Sequence, residues 1–153
     1  MDVMTAGGVG ERDGVRSTEA DGAREVDVAG RAAAALLGTV GTFQALLAAG
    51  APWGAAAWGG AHPGVLPADL RVSSAVSVAA YAALAVVAAR PSWPAQPWRR
   101  RVLTGAGALL ALGTLMNLAS PSLPERLIWT PVAAALSVLL WRTAHRAPSP
   151  AST

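Results

Sequence analysis

Four apolar runs, each bounded by arginine or by a Gly/Pro break, constrain this chain more than any other feature. They cover residues 32–49, 72–89, 102–119 and 127–141. A helix of about 18 residues rises roughly 27 Å, close to the ~30 Å hydrocarbon core of a bilayer. The fourth run is short for a span. Either Arg126 and Arg142 snorkel outward, or that helix begins within Ser122–Arg126. With 53% hydrophobic and only 14% charged residues, a water-soluble domain of this length has no means of hiding its apolar surface. A bilayer removes the problem, so the expected architecture is all-α, a four-transmembrane-helix bundle.

The segments between the runs are of two kinds. Residues 1–30 are polar and carry no apolar period, which reads as a disordered tail, with a weak surface helix over Ser17–Val28 as the alternative. That leader is long and acidic, unlike the brief basic leader of a signal peptide, so the first run is expected to be retained as a span. Residues 31–142 form the membrane domain, and 143–153 a second polar tail. The break at residues 50–71, GAPWGAAAWGGAHPGVLPADLR, is too rich in Gly and Pro for a regular helix. A second short insert, SPSLPER at residues 120–126, falls on the same side of a four-span bundle.

Arginine placement sets the direction. Arg12, Arg16, Arg24, Arg31, Arg90, Arg99, Arg100, Arg101, Arg142 and Arg146 collect on one side, against Arg71 and Arg126 on the other. The positive-inside rule puts both termini in the cytoplasm, in the plasma membrane. Trp53, Trp58 and Trp129 then fall at the outer interface and Trp93, Trp98 and Trp141 at the inner one, as two interfacial belts would. This distribution also argues against nucleic-acid binding, because the arginines flank spans rather than cluster on one basic face. Arg99, Arg100 and Arg101 beside Trp98 suit anionic lipid headgroups, and topology control explains them equally well.

Phe43-Gln44, GAPWG at 50–54, Trp58-Gly59-Gly60, Leu66-Pro67 and Leu70-Arg71 make one group of recognisable residues. Met116-Asn117, Ser120, Ser122, Glu125-Arg126, Trp129 and Pro131 make another. Over residues 31–142 the chain resembles a group of small four-span integral membrane proteins of actinobacterial type. The resemblance implies the fold and carries no activity with it.

Polar residues within the spans concentrate toward the outer side. Gln44 lies in the outer half of the first span, and Asn117 near the outer end of the third. Ser73, Ser77 and Tyr81 share one helical face. A ligand pocket under the 50–71 loop would draw on Gln44, Trp53, Trp58, His62, Asp69, Arg71, Tyr81, Asn117, Glu125 and Arg126. The competing role for Gln44, Asn117 and the serines is hydrogen bonding between helices, the commoner use of such residues in spans. Asp69 and Glu125 beside Arg71 and Arg126 are expected to cross-pair and tie the two inserts together, since no nucleophile or activated base accompanies them.

A metal at His62 would require further ligands, and only Asp69 and Glu125 share its side, so neither metal nor cofactor is expected. No phosphate-cradling, Ser/His/Asp or HExxH pattern occurs. The chain has no cysteine, which removes disulfide and thiolate chemistry. The expectation is a non-enzymatic accessory, interaction or small-ligand-binding protein, either alone, as a homo-oligomer or beside a membrane-protein partner. A small transporter or channel-like oligomer, and a lipid-modifying enzyme using His62 and Glu125, are the alternatives.

Overall fold

The computed structural model describes residues 7–90 and 96–145, with side chains from Val28 onward. The Trp93 expected in an interfacial belt and the tail beyond His145 lie outside the described residues. Four helices follow one another: α1 (Gly7–Ala49), α2 (Ala68–Ala89), α3 (Pro97–Ala119) and α4 (Leu123–His145). Two 3₁₀ turns, Gly54–Ala56 and Trp58–Gly60, lie between α1 and α2. Where a disordered tail is read from the sequence, the backbone is helical from Gly7 and continuous with the first span. Each of the four helices contains a stretch of 22 or 23 residues long and apolar enough to cross a membrane. By length and hydropathy this is a multi-pass membrane protein.

The helix ends follow from local chemistry. α1 stops at Gly50, whose φ of 102° only glycine adopts without strain. Gly50 N–H reaches the Leu47 carbonyl at 3.0 Å and Ala51 N–H the Leu46 carbonyl at 2.9 Å. That pair of bonds is the Schellman closure, and Pro52 ends any continuation. α3 starts with Pro97 in its first turn, where a missing N–H costs nothing. α4 does begin within the SLPER stretch, which lengthens the short fourth run to a full span. Pro131 inside α4 removes the N–H that would have bonded the Leu127 carbonyl one turn back.

An arginine at the start of one helix caps the end of the helix before it, twice. Arg71 in the first turn of α2 donates Nε–H to the Ala48 carbonyl at 2.9 Å. Arg99 in the first turn of α3 donates to three carbonyls at the end of α2: Val87 at 3.1 Å, Ala88 at 3.2 Å and Arg90 at 3.1 Å. The last carbonyls of a helix have no intrahelical partner and carry the negative end of its dipole, so a guanidinium satisfies both needs. Arg99 is therefore buried and turned toward protein, whereas Arg100 and Arg101 are exposed.

In the bundle α1 packs along α2 and against α4, α4 packs along α3, and α2 and α3 meet only sparsely. The core runs through Ala33, Leu37, Val40, Ala88, Leu103, Leu136 and Leu140. Gly107 lets α3 and α4 close up. Ser137 Oγ donates to its carbonyl at 2.9 Å, and a Cβ there would stand 3.3 Å from the Ser137 carbonyl oxygen. Outward-facing side chains such as Val72, Val76, Leu109, Leu112 and Leu115 are exposed and apolar, as a helix solvated by lipid requires.

Candidate functional site: a roofed cavity among the four helices

Under the 50–71 loop the helices surround a half-open cavity of about 290 Å³. Val40, Phe43 and Gln44 from α1, Ser77 and Tyr81 from α2, and Leu110, Gly113 and Asn117 from α3 form three of its walls. Glu125, Trp129, Val132 and Leu136 of α4 form the fourth, and Ala56 to Trp58 the roof. Val40 and Leu136 belong also to the packed core, which closes the floor with Leu37, Leu103 and Leu140.

The roof is fixed by the first two turns of α4. Ser122, Pro124 and Glu125 follow the S-x-x-E pattern of a helix N-terminus. Glu125 N–H approaches Ser122 Oγ at 3.4 Å. In the usual form of this box the glutamate reaches back to the N–H of the capping residue. Here Ser120 Oγ accepts that N–H instead, at 3.1 Å, and donates its own proton to Glu125 Oε2 at 2.6 Å. The carboxylate is left to reach across to the loop, where Oε1 accepts Gly59 N–H at 2.8 Å. Two further bonds join the same surfaces: Ser122 Oγ–H to the Ala55 carbonyl at 2.7 Å, and Trp129 Nε1–H to the Ala56 carbonyl at 2.6 Å.

The loop adopts an unusual backbone to meet them. Trp58, Gly59 and Gly60 are consecutive residues with positive φ, of 53°, 78° and 70°. A tryptophan in that region is strained. Its side chain is held by a hydrogen bond from Nε1–H to Ser74 Oγ at 3.2 Å, and Ser74 is fully buried on α2. Gly54 makes the other tight approach. Its N–H meets the Gly64 carbonyl at 3.0 Å, and a Cβ would lie 1.9 Å from the His62 carbonyl oxygen.

Of the residues named from the sequence, Gln44, Trp58, Tyr81, Asn117 and Glu125 line this one cavity. Trp53, His62, Asp69, Arg71 and Arg126 do not. Trp53 is a half-exposed ring stacked at 6.1 Å on Phe43, and His62, Asp69 and Arg126 are exposed. The two inserts are tied, though not by the expected ion pairs. Arg71 is engaged by Ala48 and Glu125 by Gly59 and Ser120, so the joint is a carboxylate on backbone rather than carboxylate on guanidinium. Trp129 is a cavity wall, tilted against Phe43 at 4.7 Å, rather than only a belt residue.

Gln44 and Asn117 both line the cavity, and Gln44 Oε1 is buried without a hydrogen-bond partner. An unmade bond at a buried amide is costly, of order 1–3 kcal/mol. Two other buried oxygens in the same condition, on Thr104 and Thr130, do not line the cavity. Among the described residues no three of His, Asp and Glu converge as a metal would require. Reasoning from sequence missed Ser120 and Ser122, for which the Ser122-x-x-Glu125 spacing was the available signal. It also missed the apolar lining at Val40, Leu110 and Val132, which no local pattern separates from ordinary core.

Comparison with known protein families, curated proteins and solved structures finds no match. The resemblance to small four-span proteins rests on the residues quoted for it, and the fold stands on the helices themselves.

Proposed function

We propose that this protein is a non-enzymatic small-ligand-binding protein of the plasma membrane, with both termini cytoplasmic and the 50–71 loop roofing a pocket on the outer side. The observation that carries the reading is the half-open cavity of about 290 Å³ under the loop, on which Gln44, Tyr81, Asn117 and Glu125 converge from all four helices. A few convergent polar groups on an otherwise apolar lining suit a small ligand. The closed floor favours binding over passage, because a transport path would have to continue past Tyr81 through packed leucines. His62 lies off the cavity, which separates it from Glu125 and weakens the lipid-enzyme alternative. Exposed Arg100 and Arg101, at the opposite end from the loop, contact anionic headgroups in this reading, while Arg99 acts as a helix cap.

The absence of cysteine provides a clean test. A Gly113→Cys variant places one thiol in open space on the cavity wall, and Leu103→Cys places one in the sealed core. A membrane-impermeant thiol reagent added outside intact cells labels the first and spares the second. Labelling of Gly113→Cys only after permeabilisation, or equal protection of both thiols, overturns the proposal.

A further inference from the structure

We infer that the ligand of this cavity is an organic cation with an apolar body, an amine or quaternary ammonium whose charge lies against Glu125. The inference rests on the pocket reading above and names its chemistry. Glu125 supplies the one formal charge in the lining: no arginine or histidine contributes to it. Its side chain is 6% exposed, and its two oxygens accept one neutral donor each, Gly59 N–H and Ser120 O–H. A carboxylate has room for about four such bonds, so half its capacity is unused, and beyond the α4 dipole no cationic side chain of the lining faces its charge. A buried charge ordinarily has a counter-charge.

Three of the other polar groups of the lining are already committed. Trp129 Nε1–H and Trp58 Nε1–H are engaged by Ala56 and Ser74, and the Ser77 hydroxyl donates to the Ser73 carbonyl at 2.9 Å. Those three donors are closed to a ligand, whereas the Tyr81 hydroxyl and the Gln44 and Asn117 amides also line the cavity and are neutral. An anion would meet one fixed negative charge and no cationic side chain, with only neutral hydroxyl and amide donors to offset it. A cation meets an acid and an aromatic lining.

Four aromatic side chains, Phe43, Trp58, Tyr81 and Trp129, line the cavity. Aromatic rings attract ammonium groups through their quadrupole, most strongly when water is excluded. Deeper in, Leu110, Val132 and Leu136 offer an apolar floor to the rest of the molecule. A volume of 290 Å³ equals that of about ten waters in the liquid, enough for a compact ring with a trimethylammonium head.

The test uses the full-length Gly113→Cys variant and follows its reaction with an uncharged methanethiosulfonate. Benzyltrimethylammonium and neopentylbenzene, its isostere with carbon in place of the charged nitrogen, are the competing probes. The cation is expected to protect the thiol at about tenfold lower concentration than the isostere. Adding Glu125→Gln, which keeps an acceptor for Gly59 N–H, is expected to bring the two probes within about twofold of each other. If both probes protect equally in the presence of Glu125, the charge inference fails and the pocket reading stands. If neither protects, both fail. Should Glu125→Gln not fold, phenylmethanesulfonate replaces it: an anion protecting as well as the cation overturns the inference, and one at least tenfold weaker supports it.

Discussion

Removing the Glu125 carboxylate should release the roof of the cavity while leaving the bundle standing. The side chain accepts Gly59 N–H at 2.8 Å and Ser120 O–H at 2.6 Å in a buried setting. Hydrogen bonds to a charged acceptor contribute about 1.5–3 kcal/mol each. Only the Gly59 bond crosses to the loop, so at the lower figure Glu125→Ala makes opening of the loop easier by about 1.5 kcal/mol, a factor of order ten. Glu125→Gln keeps an acceptor and loses the charge, so its effect is expected near 1 kcal/mol, or about fivefold. Amide hydrogen exchange reads local opening directly. The reporting amides are Gly54, bonded to Gly64, and Ala57, bonded to Gly54, since neither contacts the mutated group. Exchange within α1 and α3 should stay at its original rate. A rise of less than fivefold at Gly54 and Ala57 in Glu125→Ala would refute the reasoning, and so would an equal rise throughout the helices.

Three further substitutions probe the joints around the site. Arg99→Ala strips three carbonyls at the end of α2 of their donor and is expected to lower stability in a detergent-unfolding titration by about 2 kcal/mol, with Arg99→Lys recovering part of it. Gly54→Ala drives a methyl into the His62 carbonyl and should raise exchange across residues 54–64 as strongly as loss of Glu125 does, a cost of about 1–3 kcal/mol. Gly107→Leu should force α3 off α4 and depress the melting temperature, whereas Gly105→Leu, where a Cβ meets nothing within 4 Å, should leave it unchanged.

Helix stops were more legible than starts. The apolar runs end at residues 49, 89 and 119, where α1, α2 and α3 end, because Gly50-Ala51-Pro52, Arg90-Pro91 and Ser120-Pro121 halt a helix by chemistry that is local. The starts of α2, α3 and α4 lie four or five residues ahead of their runs, at Ala68, Pro97 and Leu123. A first turn tolerates proline and welcomes acids, so Asp69, Pro97 and Glu125 look like loop and behave as helix. Gln44, Asn117 and Glu125 were legible as a shared level of the bundle, because span order and helical rise fix depth. The partner of Glu125 was not. Charge alone favours Arg71 or Arg126. The observed partner is the N–H of Gly59, available only because three consecutive residues take positive φ. Side-chain identity does not specify that backbone path. It follows from Ser120 occupying the N–H that Glu125 would otherwise cap.

The double use of arginine bears on orientation. Arg71 and Arg99 are each committed to carbonyls of a preceding helix, so their positions answer to helix capping as well as to membrane direction. Setting both aside leaves Arg126 alone at the loop end of the spans, against Arg31, Arg90, Arg100, Arg101 and Arg142 at the other. The asymmetry that drives the positive-inside rule survives the subtraction. A reporter active only in the cytoplasm, fused at the C-terminus, should therefore be active in the native chain and equally active in Arg99→Ala, despite that variant's lower stability. Arg71→Ala should likewise leave it unchanged. An active external reporter on the native chain would turn the cavity toward the cytosol. Inversion by Arg99→Ala alone would show that the capping arginine, rather than its exposed neighbours, carries the topological signal.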